Sequence, residues 1–169
     1  MAEAVERVML PDAYAPGIAQ ISLDQLSEAG VEGIIVDLDN TLVAYRQSAL
    51  APEVVTWVAE ALRRGFRVAL VSNNFEERVA AVGSLLGVPT VSSALKPLPT
   101  GFLRALRLLG TSRRQTVVVG DQLLTDVVGA KLVGLRAILT EPISEQGFIT
   151  TRMLRVVERA VLRLAGVRR

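Results

Sequence analysis

Short apolar runs alternate with longer amphipathic segments along most of the chain, and glycine or proline separates one from the next. The short runs are rich in β-branched residues, which favour strands. They predict five strands, over 33–37, 66–71, 88–92, 116–119 and 136–139. The longer segments have capping residues or proline near several starts and glycine at most ends, which is typical of helices. These helices are predicted over 22–30, 52–65, 76–86, 100–109, 125–133 and 151–164.

Strands that alternate with helices in this way favour right-handed crossovers and a parallel sheet. Hydrophobic residues make up 50% of the chain and aromatic residues only 4%. That balance is typical of a parallel sheet with helices on both faces. We therefore predict a three-layer α/β fold with a five-stranded sheet in the order 3-2-1-4-5. Residues 21–169 are predicted to form a single domain, and residues 1–20, which have no clear period, an irregular lead-in.

The chain contains neither cysteine nor histidine. These absences exclude a thiolate zinc site, a cysteine-based phosphatase, a Ser-His-Asp hydrolase and an HExxH metalloprotease. Catalysis must then use carboxylates, hydroxyls, amides and lysine, and any metal would have oxygen ligands, which favours magnesium over zinc. The net charge of +2 gives no reason to expect a nucleic-acid partner.

Polar residues that could carry such chemistry lie where the predicted strands end. Asp37 and Asp39 end the first strand, Ser72 and Asn73 the second, and Asp121 the fourth. Ligands bind beyond the carboxyl ends of a parallel sheet, where the strand order reverses, so three carboxylates converge in one crevice. Two adjacent carboxylates repel each other unless a cation lies between them. A solvated acidic turn is the alternative.

Other candidates also have an ordinary structural explanation when each is taken alone. Ser72 and Asn73 could cap the following helix. Lys96 could be a solvated loop residue. Asp121 and Asp126 could begin a helix, where acids interact favourably with the helix dipole. The order of these residues along the chain is therefore more informative than any one of them.

Read in order, the chain contains Asp37-x-Asp39-x-Thr41, then Ser72, then Lys96, and finally Gly120-Asp121-x4-Asp126. This order resembles the four motifs of the haloacid dehalogenase (HAD) superfamily, which implies a Rossmann-like fold. The strings DLDNTL, VSNN, ALKP and VGDQLLTDV are similar to the YqeG-like branch of its subfamily IIIA. That branch includes phosphatidylglycerophosphate phosphatases of fungal mitochondria and their plant relatives. The resemblance extends over nearly the whole chain.

The resemblance implies a phosphatase and assigns a role to each residue. Asp37 would attack phosphorus and form an aspartyl-phosphate, while Asp39 would protonate the leaving alcohol and then activate water. The implied positions around Mg²⁺ are Asp37, the backbone carbonyl of Asp39, Asp121 and, as a ligand or the partner of one, Asp126. The residues expected to bind the phosphoryl oxygens are Thr41, Ser72, Asn73 and Lys96.

No large cap domain fits between these motifs. The stretch 41–72 holds a short flap, one helix and one strand, and the stretch 74–96 one helix and a short strand. An open crevice suits a large substrate, such as a lipid head group, a protein or a nucleic-acid end, better than a small sugar phosphate. A lid supplied by an oligomer would weaken this inference.

The last predicted helix carries a basic stripe, formed by Arg152, Arg155, Arg159 and Arg163. Spacings of three and four place these residues on one side of a helix. A surface helix that packs on the sheet and keeps its arginines in water is one explanation. The other is peripheral contact with anionic phospholipid.

We therefore expect an Mg²⁺-dependent phosphomonoesterase, with phosphatidylglycerophosphate as a candidate substrate. The alternatives are the same chemistry on a soluble phosphate, a protein or a nucleic acid, and a non-catalytic phosphate- or membrane-binding module. A receiver-like signalling module fits poorly, because receivers carry the phosphorylated aspartate after a later strand. No signal peptide or membrane span is evident, so a cytoplasmic protein, with peripheral contact at the inner face of the membrane, is predicted.

Overall fold

A computed structural model describes residues 8–45, 47 and 49–144. These residues form a parallel sheet with helices on both faces. The strands are β1 (Ala13–Ala15), β2 (Gly33–Val36), β3 (Arg67–Val71), β4 (Thr90–Val91), β5 (Thr116–Gly120) and β6 (Arg136–Thr140). The helices are α1 (Leu23–Glu28), α2 (Pro52–Arg63), α3 (Glu76–Leu86), α4 (Pro99–Leu109) and α5 (Val128–Leu132). Single 3₁₀ turns lie at Ile18–Gln20 and Arg113–Gln115, and a π-helical turn, Leu123–Val127, leads into α5.

The sheet has the strand order β1-β6-β5-β2-β3-β4, and every pair is parallel. The five predicted strands are β2 to β6, and their predicted order is confirmed. Strand order reverses between β2 and β5, so a crevice opens beyond the carboxyl ends of these two strands. Within the described residues, only α2 lies between β2 and β3, and only α3 between β3 and β4, so neither connection contains a cap domain.

The sheet differs from the prediction at its two edges. It has six strands, because Ala13–Ala15, inside the segment predicted to be an irregular lead-in, pairs with β6. Three residues are too few to show a strand period, so the sequence carried no signal for this strand. At the opposite edge, the strand predicted over 88–92 is reduced to Thr90–Val91.

Alternate residues of each central strand face opposite sides of the sheet. In β2, Ile34 and Val36 pack into one core with α1, α2 and α3, whereas Ile35 packs into a second core with α4 and α5. β5 divides in the same way, with Val118 on the side of Ile35. Strands buried on both faces lose the apolar-polar alternation of an exposed sheet, which explains their continuous hydrophobic runs.

The register of the central strands sets the height of the residues that follow them. Val36 lies opposite Leu70 of β3 on one side and Val119 of β5 on the other. Asp37 therefore leaves the sheet at the same level as Val71 and Gly120. Polar residues after these three positions consequently meet above one edge.

Two further predictions concern the C-terminal helix and the lack of a membrane span. The helix predicted over 151–164 and its arginine stripe lie outside the described residues, so they stay predictions. Among the described helices, none combines the length and the apolar character needed to cross a bilayer.

Candidate active site

The candidate site is built around a buried lysine and three buried aspartates above the carboxyl edge of β2 and β5. Lys96 donates from Nζ to Oδ1 of Asp37, and to Oδ1 of Asp126 at 2.6 Å. The side chain of Lys96 is only 4% exposed. Carboxylate oxygens of Asp37, Asp121 and Asp126 all lie within 4.8 Å of one another. Positions from motifs up to 89 residues apart thus meet in one cluster, which we call the acidic cluster: Asp37, Lys96, Asp121 and Asp126.

The charges of the acidic cluster do not balance. Three carboxylates face one ammonium group in a region that water barely reaches. A second cation would compensate the remaining negative charge, and the donors are oxygens of the kind that Mg²⁺ binds. The donor set and its charge therefore fit a divalent metal of this class.

The imbalance also appears in the protonation of Asp37. The pKa of Asp37 is raised to about 7, mainly by burial and also by the nearby charges of Asp126 and Asp39, which together outweigh the opposing effect of Lys96. A bound cation would act in the opposite direction and favour the carboxylate. Burial opposes the charge of Lys96, but the carboxylates of Asp126 and Asp37 outweigh this effect and hold the pKa of Lys96 above its ordinary value.

A tight loop after β2 brings Thr41 back over Asp37. Asn40 has a φ of 63°, a left-handed conformation that asparagine tolerates better than most residues. The carbonyl of Leu38 accepts hydrogen bonds from the amides of Leu42 and Val43, which closes the loop. As a result, Oγ1 of buried Thr41 donates to Oδ2 of Asp37 at 3.4 Å.

Gly120 is required for space rather than for an unusual backbone angle. The left-handed glycines of the described chain do not include it. A Cβ at Gly120 would instead lie 2.4 Å from Cγ of Asp126. The amide of Gln122 donates to Oδ2 of Asp126 at 3.1 Å, so Asp126 is held directly against the end of β5.

Ser72 and Asn73 follow β3, but neither caps α3 as the ordinary structural explanation would have it. The residue before α3 is Phe75, whose amide donates to Oδ1 of Asn74. Oγ of Ser72 accepts the amide of Asn74 at 3.1 Å. The Asn73 side chain bonds twice to the backbone of Lys96, at 3.1 Å from Nδ2 and 2.6 Å to Oδ1. Asn73 thus joins the loops after β3 and β4.

Asp39 lies beside the acidic cluster but is not one of its carboxylates. Its side chain is 19% exposed and accepts hydrogen bonds from Nη2 of Arg78 at 2.7 Å and Nδ2 of Asn74 at 3.0 Å. Sequence reasoning assigned no role to Arg78 or Asn74. Both lie in the segment that begins with Ser72, and a search for cations one helical turn beyond the motif could have found Arg78.

Comparison with known proteins identifies the family of the chain. The family model for haloacid dehalogenase-like hydrolases matches residues 5–134. The chain is 42% identical over 159 residues to the probable phosphatase YqeG of Bacillus subtilis (strain 168), covering 94% of this chain and 92% of that protein. It is 27% identical over 151 residues to the chloroplastic phosphatidylglycerophosphate phosphatase 1 of Chlamydomonas reinhardtii, covering 84% of this chain and 56% of the relative.

A solved structure gives the same result for the fold. The cobalt-bound deoxy-D-mannose-octulosonate 8-phosphate phosphatase of Haemophilus influenzae has a TM-score of 0.51 and 14% sequence identity, over 82% of this chain and 91% of that one. At this identity the match concerns the fold alone. The resemblance read from the four motifs is confirmed by the family match and by the Bacillus relative. The chain belongs to the haloacid dehalogenase-like hydrolase family, among relatives that are phosphatases.

Proposed function

We propose that the protein is an Mg²⁺-dependent phosphomonoesterase that works through an aspartyl-phosphate on Asp37. The observation that carries the proposal is the acidic cluster, in which three buried carboxylates lie together and two of them bind one buried lysine. A structural ion pair would need one carboxylate for the lysine. The surplus acids are explained if the cluster binds a cation and an anionic substrate together.

The residues proposed to hold Mg²⁺ are Asp37, Asp121, Asp126 and the backbone carbonyl of Asp39. When bound, the ion supplies positive charge between an anionic nucleophile and a phosphate dianion, which otherwise repel each other. Lys96 contributes a second positive charge from within the protein. Magnesium is favoured over zinc, because the chain has no histidine or cysteine and the cluster offers only oxygen.

The reaction proposed for these residues has two steps. In the first, an oxygen of Asp37 forms a bond to phosphorus while the ester bond breaks. The electron pair of that bond leaves with the alcohol oxygen, which takes a proton from Asp39. In the second, water gives a proton to Asp39 and attacks phosphorus. The bond to Asp37 then breaks, which releases inorganic phosphate and restores both carboxyl groups.

The phosphoryl oxygens are proposed to be bound by Thr41, Ser72, Asn73 and Lys96. Thr41, Ser72 and Lys96 are buried at the crevice, where hydrogen bonds to an anion are strong. Asn73 has a further role in this proposal, because both ends of its side-chain amide bind the backbone of Lys96. It fixes the loop from which the lysine reaches Asp37.

The proposed substrate is an amphipathic phosphomonoester such as phosphatidylglycerophosphate. The similarity to phosphatidylglycerophosphate phosphatases supports this choice, although this chain spans just over half of the Chlamydomonas protein. Exposed apolar residues on the loops that carry Asn74 and Lys96 support it as well: Phe75 is 82% exposed, Leu95 64% and Leu98 53%. Such side chains suit the apolar part of a lipid at the crevice. Peripheral membrane contact through the predicted arginine stripe belongs to the same proposal.

Phosphate release tests the proposal. Phosphatidylglycerophosphate in mixed micelles with Mg²⁺ is compared with 4-nitrophenyl phosphate, and Asp37→Asn is the control for both. Release from the lipid that far exceeds release from the aryl ester, and that disappears in Asp37→Asn, supports the whole proposal. Turnover of the aryl ester alone retains the mechanism and rejects the lipid, and activity that survives in Asp37→Asn rejects the mechanism.

A further inference from the structure

The side chain of Asp39 is held by two partners, Arg78 and Asn74, to which the sequence motifs assign no role. Arg78, in the first turn of α3, donates to Oδ1 of Asp39 at 2.7 Å, and Asn74 donates to Oδ2 at 3.0 Å. The side chains of Arg78 and Asp39 are 24% and 19% exposed. A charged hydrogen bond in such a partly buried place orients a carboxylate more firmly than a contact in open water does.

Asp39 accepts a hydrogen bond on each of its two oxygens, so its two partners fix the orientation of the side chain. Once the leaving alcohol has taken its proton in the first step, Asp39 is a carboxylate that can accept a proton from water. Each oxygen also keeps a lone pair for a further donor. The arrangement therefore suits the second step of the reaction, in which water is deprotonated.

We propose that Arg78 is a positioning residue that holds Asp39 as the base for hydrolysis of the aspartyl-phosphate. The inference rests on the proposed function, because it needs Asp37 as nucleophile and Asp39 as base. In this step water forms a bond to phosphorus and its proton moves to Asp39. The bond between phosphorus and Asp37 breaks, and its electron pair returns to the Asp37 carboxylate.

A competing role for Arg78 is direct contact with the substrate. In the part of the chain that the structure describes, Nε of Arg78 is buried and donates no hydrogen bond. Such a donor could bind an anionic oxygen. The contact that the side chain does make is to Asp39, which favours the positioning role. The two roles predict opposite changes in KM.

The test uses 4-nitrophenyl phosphate with Mg²⁺. Nitrophenolate leaves without a proton, so formation of the phosphoenzyme does not depend on Asp39, whereas its hydrolysis does. In Arg78→Met, kcat is expected to fall on the order of 10²-fold, because a misplaced base is a poor one. KM falls in parallel, because the phosphoenzyme accumulates, and kcat/KM stays within about threefold of the wild type. Pre-steady-state traces show a burst of nitrophenol, and mass spectrometry after acid quench detects the phosphorylated protein.

Matched variants separate this effect from the loss of any arginine. Arg63→Met removes an exposed arginine that pairs with Glu60 at 2.6 Å, far from the crevice, and should leave the kinetics unchanged. Asn74→Ala should show a smaller parallel fall in kcat and KM. Arg78→Lys keeps the charge and should recover part of kcat. Circular dichroism checks the fold. If Arg78→Met does not fold, Arg78→Lys and Asn74→Ala test the inference instead, by the same burst and the same parallel fall in kcat and KM.

Three results would overturn the inference. A raised KM with lower kcat/KM and no burst would place Arg78 on the substrate. A lower kcat with unchanged KM and no burst would indicate loss of active protein, and unchanged kinetics would leave Arg78 without a role. A wild type that releases phosphate from neither 4-nitrophenyl phosphate nor phosphatidylglycerophosphate, or an active Asp37→Asn, would instead contradict the proposed function.

Discussion

Two charged clusters on this protein use the same kinds of side chain in opposite surroundings. In the acidic cluster, Lys96 binds buried Asp37 and Asp126. At the surface, Glu60 of α2 and Asp24 of α1 bind Arg63 and Arg64 at distances of 2.5–2.7 Å, and most of these side chains are well exposed. This second group, Asp24, Glu60, Arg63 and Arg64, we call the surface network. Distance alone does not distinguish the two.

The protonation of the two clusters does distinguish them. Burial raises the pKa of Asp37 to about 7, whereas hydrogen bonds from Arg63 and Arg64 lower the pKa of Glu60 to about 2. In the surface network, water and two arginines stabilise the negative charge of Glu60. In the acidic cluster, carboxylates outnumber the cation and water is excluded. A short ion pair is thus weak evidence for a site, and an uncompensated buried charge is strong evidence.

Removal of the buried cation should have the largest effect. Lys96→Met leaves Asp37 and Asp126 buried without their partner, so the free energy of unfolding should fall by about 3–5 kcal/mol and activity should vanish. Urea denaturation and phosphate release measure the two effects. Lys131→Met is the matched control, because Lys131 binds Asp12 at 2.6 Å in a more exposed pair. Equal losses in the two variants would contradict the distinction between buried and exposed pairs.

A methyl group at Gly120 should disturb the acidic cluster next most strongly. In Gly120→Ala the new Cβ overlaps Asp126, so a loss of about 1–3 kcal/mol in the free energy of unfolding is expected, together with a fall in kcat. Gly30→Ala is the control, because Gly30 has a φ of +69° and a Cβ added there would meet no neighbouring atom within 4 Å. It should lower stability through backbone strain alone and leave kcat as it is. Normal activity in a folded Gly120→Ala would show that the position of Asp126 is not critical.

The two clusters should respond to pH in opposite directions. The pKa of Asp37 rises on folding from 3.8 to about 7, so the folded protein binds the additional proton. Without divalent metal, the free energy of unfolding contributed by Asp37 is present below about pH 4 and is lost as pH rises through 7. The pKa of Glu60 falls from 4.5 to about 2, so its contribution is present above pH 4.5 and is lost as pH falls towards 2.

Denaturation curves in a chelator, taken across this pH range, measure both trends. Asp37→Asn should remove the loss on the neutral side, and Glu60→Gln the loss on the acidic side. Added Mg²⁺ should weaken the trend due to Asp37, because the ion favours the carboxylate. A wild type whose stability on the neutral side matches Asp37→Asn at every pH would contradict the raised pKa.

The smallest effect is expected from the surface network at neutral pH. Glu60→Gln removes the acid that binds Arg63 and Arg64, but both arginines remain hydrated. The Tm of Glu60→Gln should be only slightly below that of the wild type, and the difference should be smaller at high salt, which screens exposed charges. Phosphate release should be unchanged. A marked loss of activity would mean that the surface network communicates with the crevice.

Much of the fold and part of the site could be predicted, because both depend on local pattern and on motif order. The runs around Ile34 and Val118 are apolar on both faces, and this is what a central parallel strand requires. Once the strand order follows, Asp37 and Asp121 must leave the sheet at the same edge. The contacts of Asn73 and Arg78 could not be predicted, since they join residues 23 and 39 positions apart through side-chain geometry.

The sequence by itself determined the class of fold, the order of the five main strands and the edge of the sheet at which the acids gather, because β-branched runs, helix caps and strand-end motifs are local and strong. Only the tertiary structure decided that Ala13–Ala15 joins the sheet, that Gly120 makes room for Asp126 and that Arg78 holds Asp39. These depend on which surfaces meet after folding. A single interatomic contact leaves no period in the sequence, whereas an element that must bury a face does.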